Sequence, residues 1–500
     1  MSFLQTWSLF RNTRTRDSSF SFTSCRIYRI VSEFKRTISP ATTIAIIVGG
    51  VIGSGIFMKP ALMASQLGSP LLLLSVWVVA GCITLFGALS NAEVATLFPE
   101  TGGQYVFFKK MYGDAFAFFY GWASFAVFNT AGNASIAYVF SQYANYFISL
   151  PRFSLIIEQS FLINIPFVGT IFPLQNFGVK LLTILIILLF TLINYKSVKY
   201  GSALQRFLTA LKVIALVLLI GGIFFSGNGS INNVITSSVT MPQGWSLFAA
   251  YMAALGGAFW AYDGWNNITF VAGEVIEPQK NIPRSLFLGL FFCIIIYSLI
   301  NLAYCYLLPI TSLASSQFVA SDVATAAWGI IGGSIIALLV MLSTLGTTNA
   351  NVLATARVTY AMSDENKWFK WAGKVHPKYQ TPGNALILNS VWSTVLIISG
   401  SFDMLTDMLI FVSWFFYGMS ALGLFILRNK MKEVERPYKV WGYPFVPLFF
   451  IVFVFFFLVT TLFNDITNYQ NGTSPIINSL LGILITSVGI PIYYLSRKRN

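Results

Sequence analysis

Twelve long apolar stretches constrain the fold of this chain more than any other feature. A membrane-spanning helix needs about 20 predominantly apolar residues. Stretches of roughly that length or longer lie at 41–64, 70–97, 113–149, 176–195, 202–226, 244–272, 284–308, 329–361, 384–400, 402–427, 441–463 and 475–495. Only 10% of the 500 residues are charged, whereas a soluble domain has about 25%. We therefore predict an all-α integral membrane protein with twelve transmembrane helices, and we exclude a water-soluble enzyme.

Two of these stretches are too long for one straight crossing. At about 1.5 Å per residue, a helix over 113–149 or 329–361 exceeds the roughly 30 Å hydrocarbon core of a bilayer. We expect each of them to continue into water or to bend. Residues 150–175, with four prolines and glycines, are predicted to form a loop.

The distribution of lysine and arginine supports this number of spans and sets their orientation. With the N-terminus in the cytoplasm, the predicted cytoplasmic segments hold all of the 31 basic residues except Lys59, Arg152, Lys180 and Lys212. An excess of Lys and Arg in cytoplasmic loops is the rule in membrane proteins. We therefore place both termini in the cytoplasm and the protein in the plasma membrane, or in the inner membrane if the source is bacterial. The net charge of +14 is spread over short runs between spans, which argues against a nucleic-acid partner.

The residue types that commonly carry catalysis are scarce. The cysteines have no metal-binding spacing and no disulfide framework; they are Cys25, Cys82, Cys293 and Cys305. His376 is the single histidine, and the sequence shows no nucleophile–base pair and no phosphate-binding Gly-Lys-Ser loop. We predict that the protein is not an enzyme and that it uses no metal or cofactor.

Two glycine clusters interrupt spans at corresponding places in the two halves of the chain. The first span carries Gly-Gly-Val-Ile-Gly-Ser-Gly at 49–55, and the sixth carries Gly-Gly-Ala-Phe-Trp-Ala-Tyr-Asp-Gly at 256–264. Glycine in a spanning helix usually allows close packing. Paired interrupted helices, however, are the best sequence indication of the binding site of a secondary transporter.

The backbone groups freed at these breaks indicate the kind of ligand. Hydrocarbon cannot satisfy them, so they must line a cavity or bind something. The amides of residues 54–56 begin a half-helix, which favours a carboxylate, whereas the carbonyls around 51–52 and 260–262 favour an ammonium group. A small ligand with both charges is a free amino acid, and two flexible hinges without a ligand are the alternative. The candidate binding residues are Val51, Ile52, Gly53, Ser54, Gly55, Ile56, Trp260, Ala261, Tyr262 and Asp263.

Three ionisable residues within spans invite functional interpretation. Lys212 lies roughly 14 Å into the fifth span, at 1.5 Å per residue, so it should face the protein interior. Its ammonium could hold the unwound first helix as a bound sodium ion would. Asp263 is either a substrate-side acceptor or a carboxylate facing water at the break. Glu93, near the cytoplasmic end of the second span, is expected to organise the inner turn rather than to contact substrate.

Aromatic residues surround the second break. In a chain that is 16% aromatic, a core position is the expectation for Tyr262 and Trp265. Trp260 lies immediately beside the break, and we predict that it is a gate over the substrate.

At these residues the chain resembles the amino acid–polyamine–organocation superfamily, and within it the L-type amino acid transporter family. Residues 50–57, Gly-Val-Ile-Gly-Ser-Gly-Ile-Phe, look like the first-helix signature of that family, and residues 260–267, Trp-Ala-Tyr-Asp-Gly-Trp-Asn-Asn, look like its sixth-helix signature. Further similar motifs are Gly102-Gly103-Gln104-Tyr105, Asn194-Tyr195-Lys196-Ser197-Val198-Lys199, Glu277-Pro278 and Glu435-Arg436-Pro437. The resemblance covers about residues 38–498 in unbroken order.

The resemblance implies a LeuT-like fold, with spans 1–5 and 6–10 as inverted repeats, discontinuous helices 1 and 6, and two extra C-terminal helices. In the family, the first-helix backbone at the positions of Ile52, Ser54 and Gly55 binds the α-amino and α-carboxyl groups of the substrate. The aromatic residue at the position of Trp260, often Phe in the family, gates the site.

The resemblance also implies roles for two further residues. Asn266 matches a residue that bridges the broken helix and its neighbours. Lys212 matches a lysine that stands in for sodium, which implies sodium-independent transport, often as obligatory exchange.

The chain departs from the family in two respects. Many animal members have glycine at the position of Asp263, which changes the substrate pocket. Animal light subunits also use a cysteine between spans 3 and 4 to bond a heavy chain, and residues 150–175 contain none. We therefore expect no disulfide-linked heavy chain, and contacts only with the amino acid substrate and membrane lipid.

These observations predict a secondary transporter that moves neutral L-amino acids by alternating access. The alternatives are a proton-coupled or cationic amino acid or polyamine carrier and, from another class, a non-transporting receptor or channel of the same fold. We divide the chain into a cytoplasmic tail or mis-assigned start at 1–38, a transporter core with spans 1–10 at 39–427, and spans 11 and 12 with a short cytoplasmic tail at 428–500.

Overall fold

The chain folds almost entirely into helices. The computed structural model describes residues 36–100, 102–196, 198–238, 240–366 and 370–498, so most of the predicted tail at 1–38 lies outside the described residues. The α-helices are α1 (Pro40–Val51), α2 (Gly55–Leu67), α3 (Pro70–Leu97), α4 (Gln104–Tyr112), α5 (Asp114–Ala123), α6 (Thr130–Phe147), α7 (Leu155–Ser160), α8 (Phe177–Lys196), α9 (Val198–Phe225), α10 (Ile231–Ile235), α11 (Gly244–Tyr262), α12 (Asn267–Phe270), α13 (Pro278–Leu307), α14 (Ile310–Ser315), α15 (Val319–Asn366), α16 (Gly383–Ser399), α17 (Phe402–Lys430), α18 (Phe445–Gln470), α19 (Asn478–Ser487) and α20 (Gly489–Lys498). A π-helical turn (Ser124–Asn129), a 3₁₀ turn (Ala272–Glu274) and a two-stranded antiparallel hairpin of β1 (Ile163–Ile165) and β2 (Gly169–Ile171) complete the regular structure described.

Seven described helical segments are long and apolar enough to cross a membrane, and the bent pair α1–α2 makes eight. The other four predicted spans also coincide with helices, but none of these passes the same test. α16 has 17 residues, and the apolar described part of α9 is limited to Lys212–Phe225. The stretches 113–149 and 244–272 are each cut into shorter pieces. The prediction of a helical membrane protein is confirmed, and the number twelve stays a prediction.

Of the two stretches expected to be too long, 113–149 is interrupted within its length and 329–361 only at its first residue. The π-helical turn separates α5 from α6 within 113–149. In α15, Gly329 has φ 74° and ψ −176°, a conformation outside the helical region that glycine adopts without a Cβ penalty. After Gly329 the helix runs on to Asn366, past the end of the apolar stretch at residue 361.

The segment 150–175 is more ordered than the loop predicted for it. It contains α7 and the hairpin, in which Ile163 pairs with Ile171. The hairpin docks on the residues that precede α19, because Thr170 N donates to Pro475 O at 2.8 Å and Ile477 N donates to Val168 O at 2.8 Å. The prediction of a loop was wrong here because backbone pairing with a segment about 300 residues away leaves no local signal.

The interrupted helices pack in the middle of the bundle. α13 lies along both α1 and α3, α11 lies against α2 and α3, and α15 lies against α6 and α9. The two breaks are therefore surrounded by protein, which is the environment in which freed backbone groups are tolerated at membrane depth.

Candidate functional site

The first break falls within the first glycine cluster. α1 ends at Val51, α2 begins at Gly55, and the two helices are bent by 43°. Ile52 already has extended backbone angles, φ −70° and ψ 92°. Ser54 precedes α2 without capping it, and its hydroxyl, in a residue 1% exposed, has no hydrogen-bond partner among the described residues. The start of α2 therefore presents backbone amides and a hydroxyl to whatever occupies the break.

The second break separates α11 from α12. α11 ends at Tyr262 and α12 begins at Asn267. Between them Gly264 has φ 96°, a conformation that residues with a Cβ rarely adopt, and its carbonyl accepts from Asn267 N at 3.2 Å. Asp263 is the first residue after α11 and has extended backbone angles, φ −67° and ψ 158°.

The two broken helices touch through their glycines. A Cβ added to Gly55 would lie 2.6 Å from Ala261 Cα, and one added to Gly50 would lie 3.0 Å from Gly264 O. Real Cβ atoms essentially never approach within 3.0 Å, so Gly55 is required for the close approach. Gly53 differs, because the nearest atom to its added Cβ is Val51 O at 3.8 Å. The first glycine cluster therefore both interrupts its helix and allows the two broken helices to pack closely.

Lys212 lies behind the first break. It is on α9, is 3% exposed, and donates from Nζ to Gly49 O at 2.6 Å and to Ile52 O at 2.5 Å. The first carbonyl belongs to the last turn of α1, and the second belongs to the break. Carbonyls at a helix end lack intrahelical partners, and here one ammonium donates a hydrogen bond to each of the two.

Tyr297 on α13 joins the two breaks from another side. Its hydroxyl lies 2.9 Å from Val51 O and 3.0 Å from Ala261 O, and the residue is fully buried. A hydroxyl has one proton, so it donates fully to only one of these carbonyls at a time. Tyr297 therefore couples the break in α1–α2 to the end of α11.

A cavity of about 70 Å³ lies where the breaks meet. Of the predicted site residues, those in its lining are Val51, Gly53, Ser54, Gly55, Trp260, Ala261, Asp263 and Asn266. Three others lie elsewhere: Ile52 offers its carbonyl to Lys212, Ile56 is fully buried, and Tyr262 donates to Trp77 O at 2.9 Å. Since one water-sized group needs about 10–15 Å³, the cavity has room for a ligand of a few heavy atoms.

Asp263 brings a carboxylate to the cavity. Tyr417 on α17 donates to its Oδ1 at 2.7 Å. Among the described residues that line the cavity, Asp263 is the one acidic side chain, and no basic side chain accompanies it. The cavity therefore carries a net negative charge whenever this carboxylate is ionised.

Trp260 covers one side of the same cavity. It is 7% exposed, and its ring meets that of Phe402 edge-on at 6.4 Å between centroids. Its indole Nε1 is buried and has no hydrogen-bond partner among the described residues. Trp265, which was expected in the core, is 3% exposed and packs on Tyr417 at 5.1 Å.

Glu93 lies apart from the cavity, near the end of α3. Arg428 donates to its two oxygens at 2.9 Å and 2.6 Å, Val440 N donates to it at 2.8 Å, and Arg436 Nε lies 3.2 Å from Oε1. The carboxylate is fully buried. It holds the segment that follows α17 against α3, so these contacts are structural.

Sequence reasoning missed most of the remaining polar lining. Those side chains come from the π-helical turn, α12, α15 and α17, and they are Asn129, Asn267, Thr347, Asn351, Thr355 and Tyr417. The run Thr-Thr-Asn-Ala-Asn at 347–351 inside an apolar stretch was a usable signal, because polar residues in spans tend to face the bundle interior. Tyr297 carried no such signal in a chain with 22 tyrosines.

No metal centre accompanies this cavity in the described part of the chain. The residues described there contain no group of three or more His, Cys, Asp or Glu side chains placed to hold a metal ion. The functional groups at the breaks are instead backbone amides and carbonyls, one carboxylate, one ammonium and several hydroxyls and amides.

A bundle of apolar helices around a small polar cavity, bordered by two interrupted helices, defines a multi-pass membrane transport protein. Residues 38–488 match the amino acid permease family. The chain belongs to that family, and its function is the transport of amino acids across a membrane.

Three relatives illustrate the range of the family. The serine/threonine exchanger SteT of Bacillus subtilis (strain 168) is 30% identical over 470 residues, which are 93% of this chain and 98% of that protein. The human b(0,+)-type amino acid transporter 1 is 31% identical over 404 residues, 79% of this chain and 77% of that protein. The mouse large neutral amino acids transporter small subunit 2 is 28% identical over 475 residues, 92% and 81% respectively. These relatives are named for transport or exchange, and the L-type resemblance of the sequence is confirmed.

Proposed function

We propose that this protein exchanges neutral L-amino acids across the plasma membrane by alternating access, without sodium. The observation that carries the proposal is the pair of helix breaks around one small cavity, with the Lys212 ammonium bound to the first of them. Amides at the start of α2 would receive the substrate carboxylate. The carbonyls at the ends of α1 and α11, together with Asp263, would receive its ammonium group.

Independence from sodium rests on Lys212. A cation at a helix break satisfies carbonyls that lack helical partners, and here two such carbonyls accept from Nζ at 2.6 Å and 2.5 Å. Because the positive charge is covalently attached, it cannot leave with the substrate. A fixed charge of this kind supports exchange rather than ion-driven accumulation, and one relative is named as an exchanger.

For the whole chain we propose twelve spans, with spans 1–5 and 6–10 as inverted repeats and both termini in the cytoplasm. On this assignment 39–427 is the transporter core, 428–500 holds the last two spans and a short tail, and the end of α2 near Leu67 faces outward. Trp260 would gate the cavity, and Asn266, which lines it, would bridge the broken helix and its neighbours. Because 150–175 contains no cysteine, we expect no disulfide-linked heavy chain.

The size of the cavity supports a small neutral substrate. The five heavy atoms common to all α-amino acids need roughly the space of five water-sized groups, at about 10–15 Å³ each, and the cavity measures about 70 Å³. A long cationic side chain would need more space and a second carboxylate. Asp263 nevertheless favours one competing function, a proton-coupled or cationic carrier, since its carboxylate could bind a proton or a second ammonium.

Transport by purified protein in liposomes tests the proposal. Labelled serine and leucine would be offered to vesicles that are empty or preloaded with unlabelled amino acid, with and without sodium. Uptake only into loaded vesicles, indifferent to sodium, is the expected result. Uptake into empty vesicles that follows an imposed proton gradient would replace exchange with proton coupling, and binding without flux would point to a sensor.

A further inference from the structure

Lys59 is a buried charge outside the cavity. It lies on α2, one turn beyond Gly55, and is 1% exposed. Its Nζ donates to Asp403 Oδ1 at 2.8 Å and to Thr406 Oγ1 at 2.9 Å, and lies 3.5 Å from Asp407 Oδ1. All three partners belong to the first turns of α17. Lysine is almost never fully buried unless it is paired, so this ammonium ties the second half of the broken helix to α17.

The link lies between two separate cavities. Phe402 stacks under it, with its ring centroid 5.0 Å from Lys59 Nζ and 6.4 Å from the ring centroid of Trp260. Trp260 lines the central cavity, whereas Phe402 and Asp403 line a second cavity of about 450 Å³. A layer formed by Lys59, Phe402 and Trp260 therefore closes the central cavity on the side where α2 ends.

The ion pairs of Lys59 join a buried ammonium to partly exposed carboxylates. Its ammonium is buried, but the side chains of Asp403 and Asp407 are 55% and 39% exposed. Asp403 lines the second cavity, so water there can hydrate its carboxylate as it separates from Lys59, which lowers the cost of opening on that side of the pair. The helix break frees α2 to move without α1, because no continuous helical backbone joins them.

We propose that Lys59, Asp403 and Asp407 form the outer gate of the carrier. Closed, the pairs hold α2 against α17 over Phe402 and Trp260; open, α2 leaves α17 and the second cavity joins the central one. This inference rests on the alternating access and the orientation proposed above. Lys59 acts as a positioning residue, since it does not line the substrate cavity.

A sided labelling experiment tests the gate. The parent has all four cysteines replaced by serine or alanine, and Ala354→Cys, in the lining of the central cavity, supplies one reporter thiol. Proteoliposomes of known orientation would be treated with a membrane-impermeant maleimide from either face, and external and internal KM for exchange would be measured in parallel.

Lys59→Met and Asp403→Asn are the test variants. Lys59→Arg preserves the charge, and the exchanged pair Lys59→Asp with Asp403→Lys restores it in reverse. Arg152→Gln is the matched control. It removes a different ion pair at the same, outer end of the protein, in which Arg152 Nη2 lies 3.4 Å from Glu158 Oε2 within the segment 150–175.

Loss of the gate should raise the ratio of outside to inside labelling about tenfold, which is within the roughly 5–150-fold effects typical of coupled conformational equilibria. It should also lower the external KM relative to the internal KM. The Arg and exchanged-pair variants should return towards the parent, and Arg152→Gln should match it. An unchanged labelling ratio in folded Lys59→Met and Asp403→Asn proteins, or an equal fall of rate from both faces, would overturn the gate. A parent that labels normally but exchanges no amino acid would instead overturn the proposed function.

Discussion

Replacement of Lys212 by methionine should remove most transport while the protein still reaches the membrane. Methionine keeps the apolar stem but cannot donate, so the carbonyls of Gly49 and Ile52 lose their common partner. A hydrogen bond to a charged group contributes about 1.5–3 kcal/mol. The lower figure for two bonds gives about 3 kcal/mol, and because 1.4 kcal/mol is a factor of ten, the native geometry of the break should become on the order of 100-fold less populated.

The assay is the initial rate of exchange into loaded liposomes, per amount of correctly inserted protein. Lys180→Met is the matched control. Lys180 is also a buried lysine, 5% exposed, that donates to backbone carbonyls at 2.9–3.2 Å, but those of Phe172, Pro173 and Ile398 lie away from the cavity. The control should lose thermal stability to a similar degree and keep its exchange rate within a few-fold.

Two results would refute the reasoning. Exchange by the Lys212 variant at the parental rate would mean that the break needs no ammonium. An equal loss of exchange in both lysine variants, in proportion to their loss of thermal stability, would mean that Lys212 acts only through the stability of the fold.

Five substitutions at four other residues test the site and its support. Gly55→Ala should abolish exchange because its Cβ would collide with Ala261, whereas Gly53→Ala, which has space, should be tolerated sterically; equal exchange rates in the two variants would contradict this. Trp260→Phe should keep KM within a few-fold, while Trp260→Ala should raise it about tenfold through loss of an aromatic contact of about 1.4 kcal/mol, as measured by concentration-dependent exchange. Glu93→Gln should lower the melting temperature in detergent, since breaking a buried ion pair costs about 3–5 kcal/mol, with KM unchanged; a changed KM would place Glu93 at the site.

The features that the sequence predicted well are those with a strong local cause. Four glycines in seven residues, at 49–55, cannot maintain an ordinary spanning helix, and the structure interrupts it at residues 52–54. A lysine deep in an apolar span must find acceptors within the protein, and the carbonyls at a break are suitable ones. Both arguments required only the free energy of placing polar groups in hydrocarbon.

The features that the sequence could not predict depend on distant contacts. The bridge from Tyr297 to two broken helices requires knowledge of which face α13 turns towards them. The sequence analysis placed Lys59 only as one of four basic residues outside the predicted cytoplasmic segments, because a loop rule considers only position along the chain. Its burial arises from Asp403 and Asp407, more than 340 residues away, and no local pattern reports such a partner.

Within the proposed mechanism, the contacts of the two lysines give the interruption of the first helix a role. Lys212 binds α1 and the break to α9, whereas Lys59 binds α2 to α17. A continuous helix would have to leave both neighbours at once, and the cost of separating both links would fall on a single step. With the helix interrupted at residues 52–54, each half can part from its own neighbour while the other half stays bound. On the proposed mechanism of alternating access, opening one side of the cavity would then leave the opposite closure intact, which is the condition that this mechanism imposes on a carrier.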